Sequence, residues 1–432
     1  MNIDIKNFAK VGHVNIDLDG LTVIAGMNGT GKSTVSRVLM AYFTLLHRMG
    51  SHIYDQRFRS IVDVLRDKLP LTGTPSWRLR RLLSEQTEDG PDVLQREYWE
   101  TPERLQQVIR RAVPPHQITL NAELQNIDAV VQTSFPEIRQ MVLDVLDRND
   151  ADYEELIYRT KFNQIFKGQI IPLFNLSAEA TLTIESHGDC QILSFLGEAM
   201  PRYPVGRKSP FSSVLYLEPI NMLDVIGDDS YDAYEGLEDR YDSGSDRWAR
   251  VLRSERYGRN VSLEEDRKIT NARKVLDTIR NVLHGSLVNV DGDIKFKEEG
   301  IDQPIELLNL ASGVKSMSML DKAIGNGSLQ EGDLLIADEP ESNLHPEWQV
   351  RFAEFLVLLQ KELGIKLLLN THSPYFLKAL ETCAKKYELG KNVHYYFMRE
   401  SSGGGTVGEE ITNDLTVAYE ALYKPLAAIM EV

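Results

Sequence analysis

Apolar and polar residues alternate at the start of the chain. Ile3 and Ile5, then Val14, Ile16 and Leu18, predict two strands with one buried face each. A solid apolar run follows, Leu21-Thr22-Val23-Ile24-Ala25, the pattern of a strand covered on both faces. From Thr34 to Leu46 the period becomes helical, with Val35, Val38, Leu39, Tyr42 and Leu46 on one side. Between about Tyr54 and Phe166 the pattern stays helical and amphipathic, as at Leu105, Val108 and Ile109 and again at Ile138, Val142, Val145 and Leu146. Pro114-Pro115 and Pro136 are expected to divide this stretch into several helices. Strand-like segments return at Ile170–Phe174, Ala180–Ser186 and Val214–Leu217. Leu263–Leu287 reads as helix, and Val288–Phe296 as a β-hairpin turning at Asp291-Gly292. Two more apolar strands run over Asp333–Ala337 and Gly364–Leu369. The glycine tract Gly403-Gly404-Gly405 predicts a turn, and Leu415–Tyr423 a helix that Pro425 ends or kinks.

The junction between the apolar run and the first helix carries chemistry. Gly26-Met27-Asn28-Gly29-Thr30-Gly31-Lys32-Ser33 has the form G-x-x-x-x-G-K-[ST], a P-loop, in the strand–turn–helix context that motif requires. Glycines let the backbone wrap a polyphosphate with successive N–H groups inward, and the helix N-terminus favours an anion. Lys32 is placed to reach the terminal phosphates and the Ser33 hydroxyl to ligate Mg²⁺. Gly26, Asn28, Gly29, Thr30, Gly31, Lys32, Ser33 and Thr34 are therefore assigned to a nucleoside triphosphate.

A second half of such a site stands later in the chain. The strand from Asp333 ends in Asp338-Glu339-Pro340. A carboxylate at such a strand end holds Mg²⁺ directly or through water, which is assigned to Asp338. The adjacent Glu339 is suited to polarise an attacking water. The strand from Gly364 ends in Asn370-Thr371-His372-Ser373, where the His372 imidazole is suited to a γ-phosphate.

Composition limits the rest. With 64 acidic against 48 basic residues the net charge is −16, which argues against a generally basic protein that coats nucleic acid. Arg78, Arg80, Arg81, Arg104, Arg110 and Arg111 give the helical region a local basic bias, read first as a solvated helix face. Asp224–Asp246, rich in Asp, Glu, Gly, Ser and Tyr, reads as an exposed acidic arm. Two cysteines, Cys190 and Cys383, make neither a disulfide framework nor a zinc spacing. No apolar run approaches 18 residues and no signal-peptide pattern opens the chain, so a cytoplasmic protein without a membrane partner is expected.

The order P-loop, Leu310-Ala311-Ser312-Gly313-Val314-Lys315-Ser316, Asp338–Pro346, Asn370–Pro374 resembles the ABC-type ATPase heads. It is similar to the single-chain bacterial branch that includes OLD-like and Septu-type (PtuA-like) defence ATPases and is related to RecF and SMC heads. Asn343-Leu344-His345-Pro346 and Thr371-His372-Ser373-Pro374 carry that likeness. The resemblance implies an α/β fold, an ABC-type head with a mixed β-sheet, N-terminal antiparallel strands and a helical insertion. It implies Asp338 as the Walker B carboxylate, Glu339 as catalytic base, Asn343-Leu344-His345 as D-loop and His372 as switch histidine. It assigns Ser312, Gly313 and Lys315 to the nucleotide of a second subunit. Ala311 stands where relatives carry serine, and no glutamine marks a Q-loop; Glu218 is the substitute considered.

On this reading residues 1–50 are the first part of the ATPase core and 51–168 the helical insertion. Residues 169–222 are core strands, 223–287 the acidic arm and a helix, and 288–432 the rest of the core. The resemblance implies ATP and Mg²⁺ as ligands and a homodimer or higher homo-oligomer closed by ATP. The expected function is the ATPase or sensor of a bacterial anti-phage defence complex with a separate nuclease or toxin effector. The alternative is a RecF-like DNA-repair ATPase that binds DNA itself, so nucleic acid stays open as a partner.

Overall fold

The N-terminal alternation forms an antiparallel pair. In β1 (Asn2–Phe8) and β2 (Val11–Asp17), Ile3 faces Ile16 and Ile5 faces Val14. The computed structural model describes residues 1–71, 74–85, 92–113, 126–197, 199–217, 244–254, 272, 275–290 and 293–430. Within these the chain divides into two compact units, one holding the residues up to His47 and from Arg159 onward, the other Arg48–Tyr158.

The first unit is built on a mixed sheet of 11 strands in the order β6-β5-β4-β1-β2-β14-β13-β3-β12-β11-β7. The antiparallel side holds β1 and β2 with β4 (Glu179–Ser186), β5 (Asp189–Leu196) and β6 (Ala199–Arg202). The parallel side holds β3 (Leu21–Gly26), β7 (Val214–Leu217), β11 (Leu334–Asp338), β12 (Lys366–Thr371) and β13 (Val393–Glu400). β14 (Thr406–Glu410) joins the sides, antiparallel to β13 and parallel to β2. Every residue of β3, β7 and β11 is buried, as the solid apolar runs require. A small sheet of β8 (Gly285–Val290), β9 (Asp293–Glu298) and β10 (Ile305–Glu306) includes the hairpin expected at Val288–Phe296, whose turn at 291–292 lies outside the described residues.

The P-loop leads into α1 (Lys32–Lys68), longer than the apolar period of Thr34–Leu46 predicts. Its backbone departs from helical angles at Arg48 (φ −117°, ψ 17°), where the chain passes from the first unit to the second. The second unit continues with α2 (Ser76–Glu85), a 3₁₀ turn at Arg96–Trp99, α3 (Glu103–Ala112), α4 (Ile127–Asp147) and the first half of α5 (Asp150–Phe166). Its own core gathers Phe58, Leu65, Leu79, Trp99, Val108 and Ile138. Two of the arginines read as a solvated basic face have partners inside this unit: Arg80 with Asp55 and Arg110 with Asp128.

Several expectations are corrected. Pro136 does not divide a helix but lies inside α4. The ladder bond that proline forfeits is outweighed by the stripe Val131, Phe135, Ile138 and Val142 buried on that helix. Ile170–Phe174 is a turn containing Pro172, with Leu173 69% exposed. Within Leu263–Leu287, residue 272 and the helix α7 over 275–283 are helical as expected, β8 takes over at Gly285, and 263–271 and 273–274 lie outside the described residues. Of the acidic arm, 244–246 open α6 (Gly244–Arg253), and the remainder lies outside the described residues, as do Glu218 and Pro114-Pro115. Pro425 lies within the last helix, α11 (Thr416–Met430).

The helices that frame the site are α8 (Ser312–Gly325), α9 (Pro346–Leu363) and α10 (Pro374–Lys386). α9 buries Phe352, Phe355, Leu356 and Leu359, and α10 buries Phe376, Leu377 and Leu380, with Phe352 and Phe376 rings 6.5 Å apart. Burying each such side chain is worth about 1.5–3 kcal/mol, which fixes the loops feeding both helices.

Candidate active site

Parallel pairing aligns the C-terminal ends of β3, β12 and β11, the edge at which open α/β sheets bind ligands. Asp338 pairs with Asn370, Asn370 with Ile24, and Thr371 with Ala25. The register thus sets the two carboxylate- and histidine-bearing turns beside the start of the P-loop.

The loop itself needs its glycines. Gly29 and Gly31 have φ of +75° and +86°, a region that L side chains rarely adopt. A Cβ at Gly26 would lie 2.8 Å from the Met398 carbonyl oxygen. The Thr30 hydroxyl donates to the Met27 carbonyl at 2.8 Å. Lys32 is buried, and its Nζ donates to the carbonyls of Gly26 at 2.9 Å and Met27 at 3.0 Å. Burial pulls the Lys32 ammonium below the usual lysine range, while the charges of Glu339, Asp338 and Glu341 pull the other way. Such an ammonium is a desolvated cation facing carboxylates. Ser33 and Thr34 open α1 beside it.

Asp338 ends β11 in a polar pocket within an apolar sheet. Asn370 Nδ2 lies 2.9 Å from Asp338 Oδ1 and 2.8 Å from the Ser36 hydroxyl, and the Tyr216 hydroxyl is 3.5 Å from Asp338 Oδ2. Asn370 is fully buried, and its Oδ1 has no protein partner. An orphaned acceptor of this kind suits a bound water or a hydrated cation. The donors fit Mg²⁺, which takes one or two protein oxygens and completes its shell with phosphate and water; among the described residues no cage of three or more His, Cys, Asp or Glu exists.

Glu339 takes a left-handed backbone, φ +49°, unusual for a side chain without local hydrogen-bonding reach. The strain is held by its N–H, which donates to the Asn370 carbonyl at 3.0 Å. The result aims the carboxylate at the next strand end. Glu339 Oε1 lies 2.9 Å from His372 Nδ1, at ion-pair distance but outside hydrogen-bond alignment. Both side chains keep contact with solvent.

Gly313 is buried against Leu344 of the same chain. A Cβ there would fall 1.8 Å from Leu344 Cδ2. Ser312 is the first residue of α8, and Lys315 N–H bonds the Ala311 carbonyl at 3.1 Å, so the signature forms the first turn of that helix.

Four neighbours were given no role by the sequence: Tyr216, Glu341, Asn370 and Thr371. Asn370 was detectable as a polar residue closing the run Leu367-Leu368-Leu369. Glu341 is 2% exposed. Burial pushes its carboxyl up to about 7 and the nearby Glu339 charge adds to that, against hydrogen bonds from Thr371 and from backbone N–H groups.

Two family models match the chain. One, described as "AAA domain", covers residues 2–44; the other, described as "AAA domain, putative AbiEii toxin, Type IV TA system", covers 211–378. The chain thus contains two stretches similar to AAA-domain families. The matched stretches contain the P-loop, Leu310–Ser316, Asp338, Glu339 and His372, and leave residues 45–210 and 379–432 unmatched. No curated protein matches the chain. Among solved structures the chain aligns with the SMC head domain from Thermotoga maritima at 12% identity and a TM-score of 0.38, over 95% of this chain and 98% of that one. An SMC head bound to the C-winged helix domain of ScpA aligns at 11% and 0.40 over the same shares. An SMC head with an extended coiled coil, bound to the C-terminal domain of ScpA derived from Pyrococcus furiosus, aligns at 10% and 0.33, over 97% and 98%.

Proposed function

We propose that the chain is an ATP-driven switch that closes as a homodimer around ATP and hydrolyses it, as the ATPase or sensor of an anti-phage defence complex. The observation that carries the ATPase part is the Lys32 ammonium, buried within the P-loop and facing the Asp338–Glu339 pair. In this reading Lys32 leaves the Gly26 and Met27 carbonyls for the β- and γ-phosphates, and the N–H groups of Asn28 to Thr34 line the polyphosphate. Ser33 and Asp338 would hold Mg²⁺, which would neutralise charge on the phosphate oxygens. Glu339 accepts the proton of the attacking water, and His372 orients Glu339 and faces the γ-phosphate. Ser312, Gly313 and Lys315, on the first turn of α8, offer N–H groups and a cation to the nucleotide of a partner copy.

Two lines support the defence role: the Asn-Leu-His-Pro and Thr-His-Ser-Pro marks, and a family description that names a toxin system. The effector is then a separate nuclease or toxin. The test is phosphate release by purified protein, with mass measured with and without ATP for wild type and Glu339→Gln. Turnover by wild type, none by the variant, and a doubled mass of the ATP-loaded variant are expected. Failure of the wild type to release phosphate, with or without DNA, overturns the ATPase reading. DNA-stimulated turnover without a protein partner favours the RecF-like alternative.

A further inference from the structure

Three carboxylates fall within the four residues 338–341 at the end of β11, and the proposed chemistry uses only Asp338 and Glu339. The third, Glu341, turns away from solvent into a place where a charge is costly. Its Oε1 accepts from the Thr371 hydroxyl, and its Oε2 has no partner in the protein. Thr371 is fully buried at the end of β12, one residue before His372. A hydroxyl has one proton. Given to Glu341, it leaves the Thr371 oxygen as acceptor for the Ser373 N–H, which lies 3.0 Å away.

Beyond Ser373 the bonds run in a ring. The Ser373 hydroxyl caps α10, accepting from the Phe376 N–H at 3.2 Å, and donates to Gln349 Oε1 at 2.9 Å. Gln349 Nε2 donates to the Leu344 carbonyl at 3.2 Å, and Leu344 N–H donates to the Glu341 carbonyl at 3.1 Å. His372 is thus the one residue between two anchored neighbours, with its imidazole 2.9 Å from Glu339.

We propose that Glu341 is a positioning residue, which through Thr371 fixes where His372 stands against Glu339. This rests on the hydrolytic reading of the site. The acceptor on Glu341 sets the direction of the Thr371 proton and so frees the Thr371 oxygen for the Ser373 N–H, which Glu341 also engages directly. The ring joins the D-loop to the switch histidine within one chain, so displacement of Leu344 reaches His372 through Gln349 and Ser373.

The test is steady-state ATPase of the full chain with Thr371→Val, Thr371→Ser, Glu341→Leu and His372→Ala, and with Thr371→Val combined with His372→Ala. Binding of a fluorescent ADP analogue is measured alongside. Thr371→Val keeps the shape and removes the hydroxyl. It is expected to lower kcat by about 10- to 100-fold, the cost of a small misplacement in an active site, with KM and ADP binding unchanged. Thr371→Ser keeps the hydroxyl and should retain most of kcat. Glu341→Leu should match Thr371→Val. The double variant should be no slower than His372→Ala alone, because both changes remove the same contribution.

Effects of Thr371→Val and His372→Ala that multiply would overturn the proposal. So would equal losses in the Val and Ser variants, or loss of ADP binding in step with kcat. A wild type that binds ADP but releases no phosphate overturns the hydrolytic reading itself, whereas active wild type with multiplying effects overturns only the role of Glu341.

Discussion

Replacing Gly313 with alanine puts one methyl into the contact between signature and D-loop. The new Cβ would stand 1.8 Å from Leu344 Cδ2 and 3.0 Å from its Cγ, where carbon atoms in contact rest about 3.5–4.0 Å apart. Leu344 is 9% exposed and belongs to the core of the first unit, so its side chain cannot yield without leaving other partners. Overpacking of this kind costs about 1–3 kcal/mol. Leu344→Ala removes the obstructing atoms and leaves a hole, at about 2–5 kcal/mol for a well-packed leucine. Together the changes compensate, because the added methyl enters the space vacated. The double variant is therefore expected to be more stable than the two single costs predict, by about 1–2 kcal/mol. Urea unfolding monitored by circular dichroism reads this, using the transition that MgATP shifts to higher urea, which marks the nucleotide-binding unit. Costs that add within about 0.5 kcal/mol would refute the contact. By the same geometry an aspartate at Gly313 would clash with Leu344 of its own chain.

Three further outcomes are expected. Glu339→Gln should bind ATP as wild type does and lose about 10²–10⁴-fold in turnover, the worth of a general base; wild-type turnover in a phosphate-release assay would remove Glu339 from that role. Lys32→Ala removes a charge-assisted bond to phosphate, worth about 1.5–3 kcal/mol, so ATP affinity by calorimetry should fall at least about tenfold, and unchanged affinity would contradict the site. Glu341, raised from 4.5 to about 7 in the fold, favours the neutral acid in the folded state. Stability from this group is full below about pH 4.5 and is lost as pH rises through about 7, by up to about 3 kcal/mol. The melting temperature of Glu341→Gln relative to wild type should therefore rise between pH 5 and 8, and a flat difference would mean that the carboxyl is not held neutral.

The core of the site could be read from the sequence because each part had a strong local period. The run Leu21–Ala25 followed by glycines and then helical spacing could be little but strand, loop and helix. The strands ending at Asp338 and Thr371 announce themselves by apolar residues that stop abruptly at polar ones. β13 and β14 were missed because Tyr395, Tyr396, Phe397 and Met398 do not alternate and the glycine tract drew attention to the turn alone. Pro136 misled in the opposite direction, since burial of an apolar stripe can outweigh one lost backbone bond, and Pro425 likewise lies inside its helix. Neither the burial of Glu341 nor the seat of Gly313 on Leu344 leaves a local mark, because each depends on a partner brought in by another loop or strand.

The position of β3 has a consequence for how the protein is made. Its two neighbours in the sheet are β12 and β13, which begin at Lys366 and Val393. A ribosome adding about 5–20 residues per second leaves the P-loop strand unpaired for on the order of tens of seconds. The helical unit has a core of contacts within Arg48–Tyr158 and can form meanwhile. The nascent chain thus carries an apolar strand with both edges open, a template for wrong pairing, and gains a nucleotide pocket only after translation has passed Glu400. ATP retention by ribosome-bound chains would report synthesis past β13.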